Sequence, residues 1–254
     1  MTSEAAVMPI EDYLAKGGKL TSPDNVPPRY RAELLRMMSS FVDSELAGSA
    51  GFADAINWAP GISQRIAASR IVLEKAANAE KVLDLMKDFG TDKALYNRAH
   101  DWAARQPREA SIDPRRQGAD MRLSVFHSPL AGWTDACVMN LLMGLATGIQ
   151  LRELAQISYI PFAEVIREIA PVEARHKDLG LIGLEDICAS EEGRAEAARS
   201  VDYWLPRVAA TFGAAESERF ARLHRMGLRH SSNQALLDEW TSLAQTQLAA
   251  LKLR

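Results

Sequence analysis

Several features that would direct function are scarce in this 254-residue chain. It has no apolar run of about 18 residues, the length that spans a membrane, and residues 1–9 lack the basic and apolar segments of a signal peptide. We therefore expect a cytoplasmic protein without a membrane span. No basic run occurs and the net charge is −3, which argues against nucleic acid or an anionic membrane as a partner.

Cysteine and histidine are also rare, with two and five residues respectively. Cys137 lies in an apolar stretch, so we expect a buried thiol rather than a nucleophile. His127 is followed by Ser128, but no acid has the spacing that would complete a catalytic triad, and a solvated loop histidine is favoured. The remaining histidines are His100, His176, His224 and His230.

What the chain does contain is apolar spacing typical of helices. Apolar residues make up 47% of the chain, enough for a substantial core. Leu34, Met38 and Val42 recur at four-residue steps, which predicts a helix. The same argument predicts long helices over residues 29–56, 62–89, 133–157 and 161–188, a shorter helix from Thr91 or Asp92 to about Arg105, and two or three more over residues 190–254. The third long helix is apolar enough to be buried on most sides.

Two segments lie outside these helices. Residues 1–28 contain Gly17-Gly18 and four prolines, which predict an extended N-terminal arm with at most one short helix around Ile10–Ala15. We expect this arm to be too polar for the core, and residues 29–254 to form a single domain. Residues 106–131 hold three further prolines and predict a long loop, of the length that usually covers something in a compact domain.

One motif among the histidines has the spacing of a metal ligand pair. Two-metal sites in helical bundles use Glu-x-x-His from each of two helices and a carboxylate from each of the other two. The three-residue step places both side chains on one helix face. In this chain only Glu173-Ala174-Arg175-His176 has that spacing, and by itself it is also compatible with an ordinary surface pair.

Four segments extend this signal to all four long helices. In chain order they are Ser44-Glu45-Leu46-Ala47-Gly48, Ala59-Pro60 to Phe89-Gly90, Phe126-x-x-Pro129-x-x-x-Trp133-x-Asp135, and Ser158-Tyr159-x-Pro161-Phe162 followed by Glu173-x-x-His176. Together they resemble the catalytic subunit of phenylacetyl-CoA epoxidase (phenylacetate-CoA oxygenase) over about residues 30–190. The resemblance implies an all-α fold, a ferritin-like four-helix bundle with additional helices.

The resemblance also implies a ligand set, and this chain departs from it. In that family the helices supply Glu, then Glu-x-x-His, then an acidic residue, then a second Glu-x-x-His. Glu45 matches the first ligand, and Glu173 and His176 match the last pair. On the second helix Lys75 and Asn78 stand where the family has Glu and His.

Two other acids are candidate extra ligands. Glu74 is one residue from the required position, which rotates it by about 100° around the helix. Asp135 is the only acid between Trp133 and Gln150, and Gly144 stands at the more inward of the two positions where the family has acids. The third helix therefore lacks its inner carboxylate.

A lysine at this position changes the charge balance. Two divalent metals bring about four positive charges, whereas Lys75 between Glu45 and Glu173 would supply a cation without any metal, and buried charges need such partners. We favour this ion-paired interpretation, with no cofactor. The alternatives are a single iron, manganese or zinc ion on Glu45, Glu173 and His176, a complete di-iron centre, and a Lys75 that points to solvent while Glu74 turns inward.

The resemblance implies a multicomponent oxygenase that attacks the ring of an aryl-CoA thioester and contains a non-catalytic sister subunit of the same fold. The incomplete ligand set of this chain is closer to that of the non-catalytic sister subunit. We therefore expect a non-catalytic or structural subunit, present as a homodimer or in complex with a homologous catalytic subunit, with residues 1–28 free to wrap a neighbour. The alternative is an active metal-dependent oxygenase for an aromatic, CoA-linked substrate. Arg222, Arg225 and Arg229 could meet a CoA phosphate, although a solvated helix face is favoured.

Overall fold

The computed structural model describes residues 9–113 and 120–254, and all its regular elements in these ranges are helices. In chain order they are α1 (Ile10–Ala15), α2 (Pro28–Trp58), α3 (Ile62–Lys87), α4 (Lys93–Asn97), α5 (Trp133–Leu154), α6 (Ile160–Cys188), α7 (Glu191–Ala209), α8 (Glu218–Arg225) and α9 (Asn233–Ala250). Short 3-10 turns occupy Pro23–Asn25, Ser124–His127 and Ala210–Phe212. The predicted all-α fold class is confirmed. In these two ranges no helix combines the length and apolar character that crossing a membrane requires.

Four long helices form the centre of the fold. α2 packs along α3 and α5 along α6, and the two pairs meet through α3 with α6 and α2 with α5. The connection between α2 and α3 is only residues 59–61, so the two helices run antiparallel. α5 is buried along most of its length, as its apolar sequence predicts. α7 packs on α5 and α6, and α9 packs on α5.

The ends of the first two long helices follow local rules. Pro28 occupies the first position of α2, where a missing N–H costs nothing. Gly90 follows α3 with a left-handed φ of 92°, a conformation that glycine adopts without strain. The turn is closed by the Thr91 N–H, which donates to the Met86 carbonyl at 3.1 Å. Gly90 is thus the helix stop that the sequence predicts.

The apolar face of α3 differs from the prediction at its beginning. Val82 and Met86 are buried, as predicted, but Ile62 is 72% exposed and Ile66 is 54% exposed. Helical spacing alone therefore does not bury these two isoleucines. With Leu73, which is 70% exposed, they form an apolar stripe on the outer face of α3.

α4 is shorter than predicted. Asp92 caps it as expected, accepting hydrogen bonds from the N–H groups of residues 94 and 95, but the helix ends at Asn97 instead of near Arg105. Beyond Asn97 the carbonyls that a helix would use are bonded by arginine side chains. Arg105 donates to the Trp102 carbonyl at 2.8 Å, and Arg122 donates to the Asp101 carbonyl at 2.8 Å. These tertiary bonds replace the helical ones.

The described part of the N-terminal arm, residues 9–28, packs on its own chain. Its short helix α1 has the predicted bounds, but Leu14, Leu20 and Val26 are buried in the core beside α2, α3 and α6. Leu20 also forms a backbone bridge with Tyr159. The prediction that the arm is too polar for the core is therefore wrong for residues 9–28. Residues 1–8 of the arm and residues 114–119 of the predicted loop lie outside the described residues.

Candidate functional site

A layer of buried polar side chains crosses the bundle between two apolar cores. On α2, Val42 belongs to one core and Ala47 to the other, with Glu45 between them. α3 and α6 contribute the other members at the same level. The layer consists of Glu45, Lys75, Asn78, Glu173 and His176, each at most 6% exposed. Helical periodicity directs these side chains inward, and the packing of α3 against α2 and α6 brings them to a common level.

Lys75 lies at the centre of this layer. Its Nζ is 2.9 Å from Oε1 of Glu45, and 3.2 and 3.0 Å from Oε1 and Oε2 of Glu173. An ammonium group has three N–H donors, and each has a carboxylate oxygen within hydrogen-bond distance. Asn78 Nδ2 donates to Oε2 of Glu45 at 3.3 Å and to Oε1 of Glu173 at 3.0 Å. Every oxygen of the two carboxylates thus has a donor from α3.

His176 joins the layer to Glu74, the neighbour of Lys75 on α3. His176 Nε2 lies 2.8 Å from Oε2 of Glu74, and its Nδ1 lies 3.2 Å from Oε1 of Glu173 without the alignment of a hydrogen bond. Glu74 is 25% exposed and also accepts from Arg175 at 3.0 Å. Glu74 therefore bonds His176 at the edge of the layer while Lys75 occupies its centre. The alternative in which Lys75 points to solvent is wrong.

Burial and neighbouring charges shift the pKa values of the acids and of the lysine in this layer. Burial, together with the charge of Glu173, raises the pKa of Glu45 to about 8. Burial opposes ionisation of Glu173 as well, but the charge of Lys75 outweighs it and holds the pKa of Glu173 well below its usual range. The pKa of Lys75 is raised, because the two carboxylates outweigh the effect of burial. Of the two acids, Glu173 is therefore the one whose ionised form the Lys75 ammonium favours more strongly.

α5 contributes no carboxylate to the layer. Asp135, a candidate extra ligand, instead pairs with Arg108 at 2.5 Å and accepts from the Ser200 hydroxyl at 2.6 Å. These bonds hold Asp135 toward α7. A Cβ built on Gly144 would lie 2.7 Å from Cβ of Lys177 on α6, so the position where the family has an acid is closed by helix contact.

These residues, as arranged, do not fit a two-metal centre. Lys75 Nζ lies between the two carboxylates that would hold the ions, and a cation at 2.9–3.2 Å from both repels a second cation there. One histidine is present where the family uses two. Among residues 9–113 and 120–254, no group of three or more His, Cys, Asp and Glu side chains is arranged to hold a metal ion.

The loop that follows α4 is tied to α2 next to this layer. Ser44 Oγ accepts a hydrogen bond from the Leu123 N–H at 3.0 Å, and the buried carboxylate of Asp43 accepts one from the Met121 N–H at 2.5 Å. The described part of residues 106–131 thus covers the helix that carries Glu45. Beneath it lies a cavity of about 390 Å³ whose lining includes Ser44 and Glu45.

Sequence reasoning missed the polar residues that hold this loop. Arg122 is 2% exposed and pairs with Asp120 at 2.7 Å, and neither residue stands in a recognisable motif. Their two-residue separation within a predicted loop is the one local signal of an ion pair. Cys137 is buried as predicted, and burial raises the pKa of its thiol to about 12.

Fold and site together define an all-α helical bundle with a polar layer in its interior, built by three of the four central helices. The chain belongs to the phenylacetic acid catabolic protein family, whose sequence profile matches residues 8–254. The family expected from the four anchor segments is thereby confirmed. A comparison with curated proteins gives no match.

Proposed function

We propose that this chain is a non-catalytic, structural subunit of the phenylacetyl-CoA oxygenase type, in which a buried ion pair stands in place of a metal centre. The observation that carries the proposal is the position of Lys75, whose Nζ is 2.9 Å from Glu45 and 3.0 Å from Glu173. Membership in the phenylacetic acid catabolic protein family supports the type of assembly.

The physical reason is that a lysine satisfies the carboxylates without any ion. Two buried carboxylates that faced each other alone would repel, and a bound cation is the usual remedy. Here the cation is the ammonium group of Lys75 on α3, so it is present in every folded molecule and needs no metal supply. Asn78 completes the hydrogen bonds that the ammonium leaves unmade.

Metal content tests this proposal directly. Protein produced with iron supplied should carry well under one iron per chain by elemental analysis. The double variant Lys75→Glu with Asn78→His restores the second Glu-x-x-His and should raise the metal content. The matched control Lys81→Glu on the same helix, whose side chain is 42% exposed, should leave it unchanged. A content near two irons per chain in the unmodified protein would overturn the proposal.

A second candidate function is an active metal-dependent oxygenase with an unusual ligand set, acting on an aromatic, CoA-linked substrate. The observation that favours it is the contact between Glu74 and His176, 2.8 Å apart, which places a further carboxylate beside the Glu173-x-x-His176 pair. One iron, manganese or zinc ion on Glu45, Glu173 and His176 would require Lys75 to move away. This candidate would be supported if the unmodified protein contained about one metal ion per chain and the variant Glu173→Gln contained none.

The proposal includes a partner. The chain keeps the four segments that resemble the family but lacks the complete ligand set, and such a subunit can still support another subunit. We therefore infer a homodimer, a complex with a homologous catalytic subunit, or both. The apolar stripe of Ile62, Ile66 and Leu73 on α3 supports this inference, because residues spaced by four and seven share one helix face. Exposed apolar patches of this kind often mark protein interfaces.

A further inference from the structure

The cavity beside the polar layer has the dimensions of a ligand site. Its volume of about 390 Å³ falls in the range of about 300–1,000 Å³ that is typical of small-molecule pockets. Along α2 it extends from Glu45 at one end to Arg36 at the other, which are nine residues and therefore about 13 Å apart. α5 and residues 211–233 form the opposite wall.

The wall of the cavity is mainly apolar. Its large apolar side chains come from the loop, from α2 and α5, and from the segment that precedes α9. They include Phe41, Phe126, Met143, Phe212 and Phe220. Such a wall gains free energy when it buries an apolar body, at roughly 25 cal/mol per Å² of apolar surface removed from water.

The end of the cavity away from Glu45 is cationic. Arg36, Arg219 and Arg229 line it, and Arg219 pairs with Glu33 at 2.6 Å. Arg229 donates to the amide oxygens of Gln150 at 2.8 Å and Asn233 at 3.4 Å.

The charge at this end is compensated in part. No carboxylate of the described residues lies within 4 Å of the Arg36 or Arg229 guanidinium. Burial lowers the pKa of Arg229, and the charge of Arg219 lowers it further, although Glu153 opposes both effects. Glu153 itself binds the backbone of residues 230 and 231. Arg229 is half-buried, and a partly desolvated cation next to another cation is stabilised by an anion.

We infer that this cavity binds an apolar carboxylate, whose carboxylate group pairs with Arg229 and Arg36 and whose apolar body lies toward Phe126 and Met143. The orientation follows from the positions of the arginines, which line the end of the cavity away from Glu45, whereas Phe126 and Met143 line it elsewhere. Arginine suits the ligand, because its planar fork matches a carboxylate with two parallel hydrogen bonds. The site requires no metal and goes beyond the structural role proposed above.

Calorimetric titration of the full chain with octanoate tests the inference, with octanamide as the neutral compound of equal length. Octanoate should bind at least about tenfold more tightly, because only the acid forms charge-assisted hydrogen bonds with the arginines. Equal affinities, or no binding of octanoate, would overturn the inference.

Three variants locate the site. Arg229→Gln should weaken octanoate binding by about tenfold or more and leave octanamide binding unchanged. Arg36→Gln lies on an exposed side chain, so it reports on binding even if Arg229→Gln does not fold. Arg225→Gln is the control, because Arg225 ends α8 and does not line the cavity. The inference fails if Arg36→Gln and Arg225→Gln have the same effect.

Coenzyme A alone is the third ligand to be titrated. It carries phosphates but no acyl chain, so the proposed site should bind it more weakly than octanoate. If coenzyme A binds at least as tightly as octanoate and Arg36→Gln weakens both equally, the arginines recognise phosphate and the carboxylate assignment is wrong.

Discussion

At the scale of single residues, the interior of this protein depends on the placement of individual charges. Lys75 is 6% exposed, and a lysine at that depth needs acceptors for all three N–H groups. Glu45 and Glu173 supply them. One cation pairs with two acids. We therefore expect removal of Lys75 to lower the free energy of unfolding more than removal of either acid.

Lys75→Met tests this charge without leaving a cavity, since methionine is apolar and has a similar length. The two buried acids then face each other without a cation, and we expect the free energy of unfolding at pH 8 to fall by about 3–5 kcal/mol. The control Lys81→Met removes an exposed ion pair with Glu168 and should change it by less than about 1 kcal/mol. Urea denaturation measures both, and equal losses would contradict the buried position of Lys75.

Glu153 predicts a dependence of stability on pH. Burial opposes its ionisation, but hydrogen bonds from the N–H groups of Ser231 and His230 and from the Ser231 hydroxyl outweigh burial and lower its pKa. The folded state therefore binds fewer protons than the unfolded state. The stabilisation is complete above the ordinary value of about 4.3 and is lost as the pH falls through the folded-state pKa.

In Glu153→Gln that stabilisation is absent at every pH. We expect the variant to be less stable than the unmodified protein by roughly 1–3 kcal/mol at pH 7, and the difference to shrink as the pH is lowered below about 4. Urea denaturation over a pH series measures the difference. Glu216→Gln, at an exposed position, is the control. A difference that stays constant with pH would argue against the ionised Glu153 carboxylate as the source of the stabilisation.

At the scale of elements, the contact between α5 and α6 depends on small side chains. A Cβ at Gly144 would meet Lys177 at 2.7 Å, and a Cβ at Gly180 would meet the Leu141 backbone N at 3.0 Å. The two helices approach closely because glycine occupies both positions. The same closeness leaves no room for a longer side chain at position 144, so helix packing also explains why α5 places no carboxylate in the polar layer at that position.

Gly144→Ala should destabilise the fold. The added methyl group overpacks the contact with Lys177, which typically costs about 1–3 kcal/mol. Gly148→Ala, one turn further along α5, has no atom within 4 Å of the new Cβ and should be neutral or stabilising by up to about 1 kcal/mol, because alanine favours the helix. Thermal denaturation compares the two, and a loss of the same size in both would contradict the close packing at Gly144.

At the scale of the whole molecule, two apolar cores are joined through the polar layer, and one helix face has no cover in the described chain. The cores bury the inward faces of the helices. The stripe of Ile62, Ile66 and Leu73 on α3 faces outward instead. Since the described part of the N-terminal arm packs on its own chain, we expect association to use helix faces rather than that segment.

Sedimentation velocity tests the association. We expect a mass of at least two 28.0 kDa chains, and a complex on co-expression with a homologue that has the full ligand set. Ile66→Glu should shift the protein toward the monomer, because it places a charge in the centre of the apolar stripe. Leu95→Glu, at a position that is 68% exposed on α4, is the control. A monomer under both conditions would overturn the partner proposal.

The sequence alone predicts the helices and the family. Apolar residues spaced by three and four predict the four long helices within about three residues of their ends. Gly90 and the prolines predict where helices stop, because both act on the backbone locally. The resemblance to the family's ligand positions also places Glu45, Lys75 and Glu173 together in the interior. The charge balance among these three residues could therefore be inferred before the fold was known.

Only the tertiary structure decides which side chains meet. Glu74 bonds His176 because α3 and α6 lie side by side, and Asp135 bonds Arg108 and Ser200 because α7 packs on α5. Ile62 is exposed and α4 is short for the same reason, since both depend on what faces the helix rather than on its own sequence. Local patterns determine the phase and ends of each helix, whereas burial and pairing are determined by neighbours that are distant in the chain.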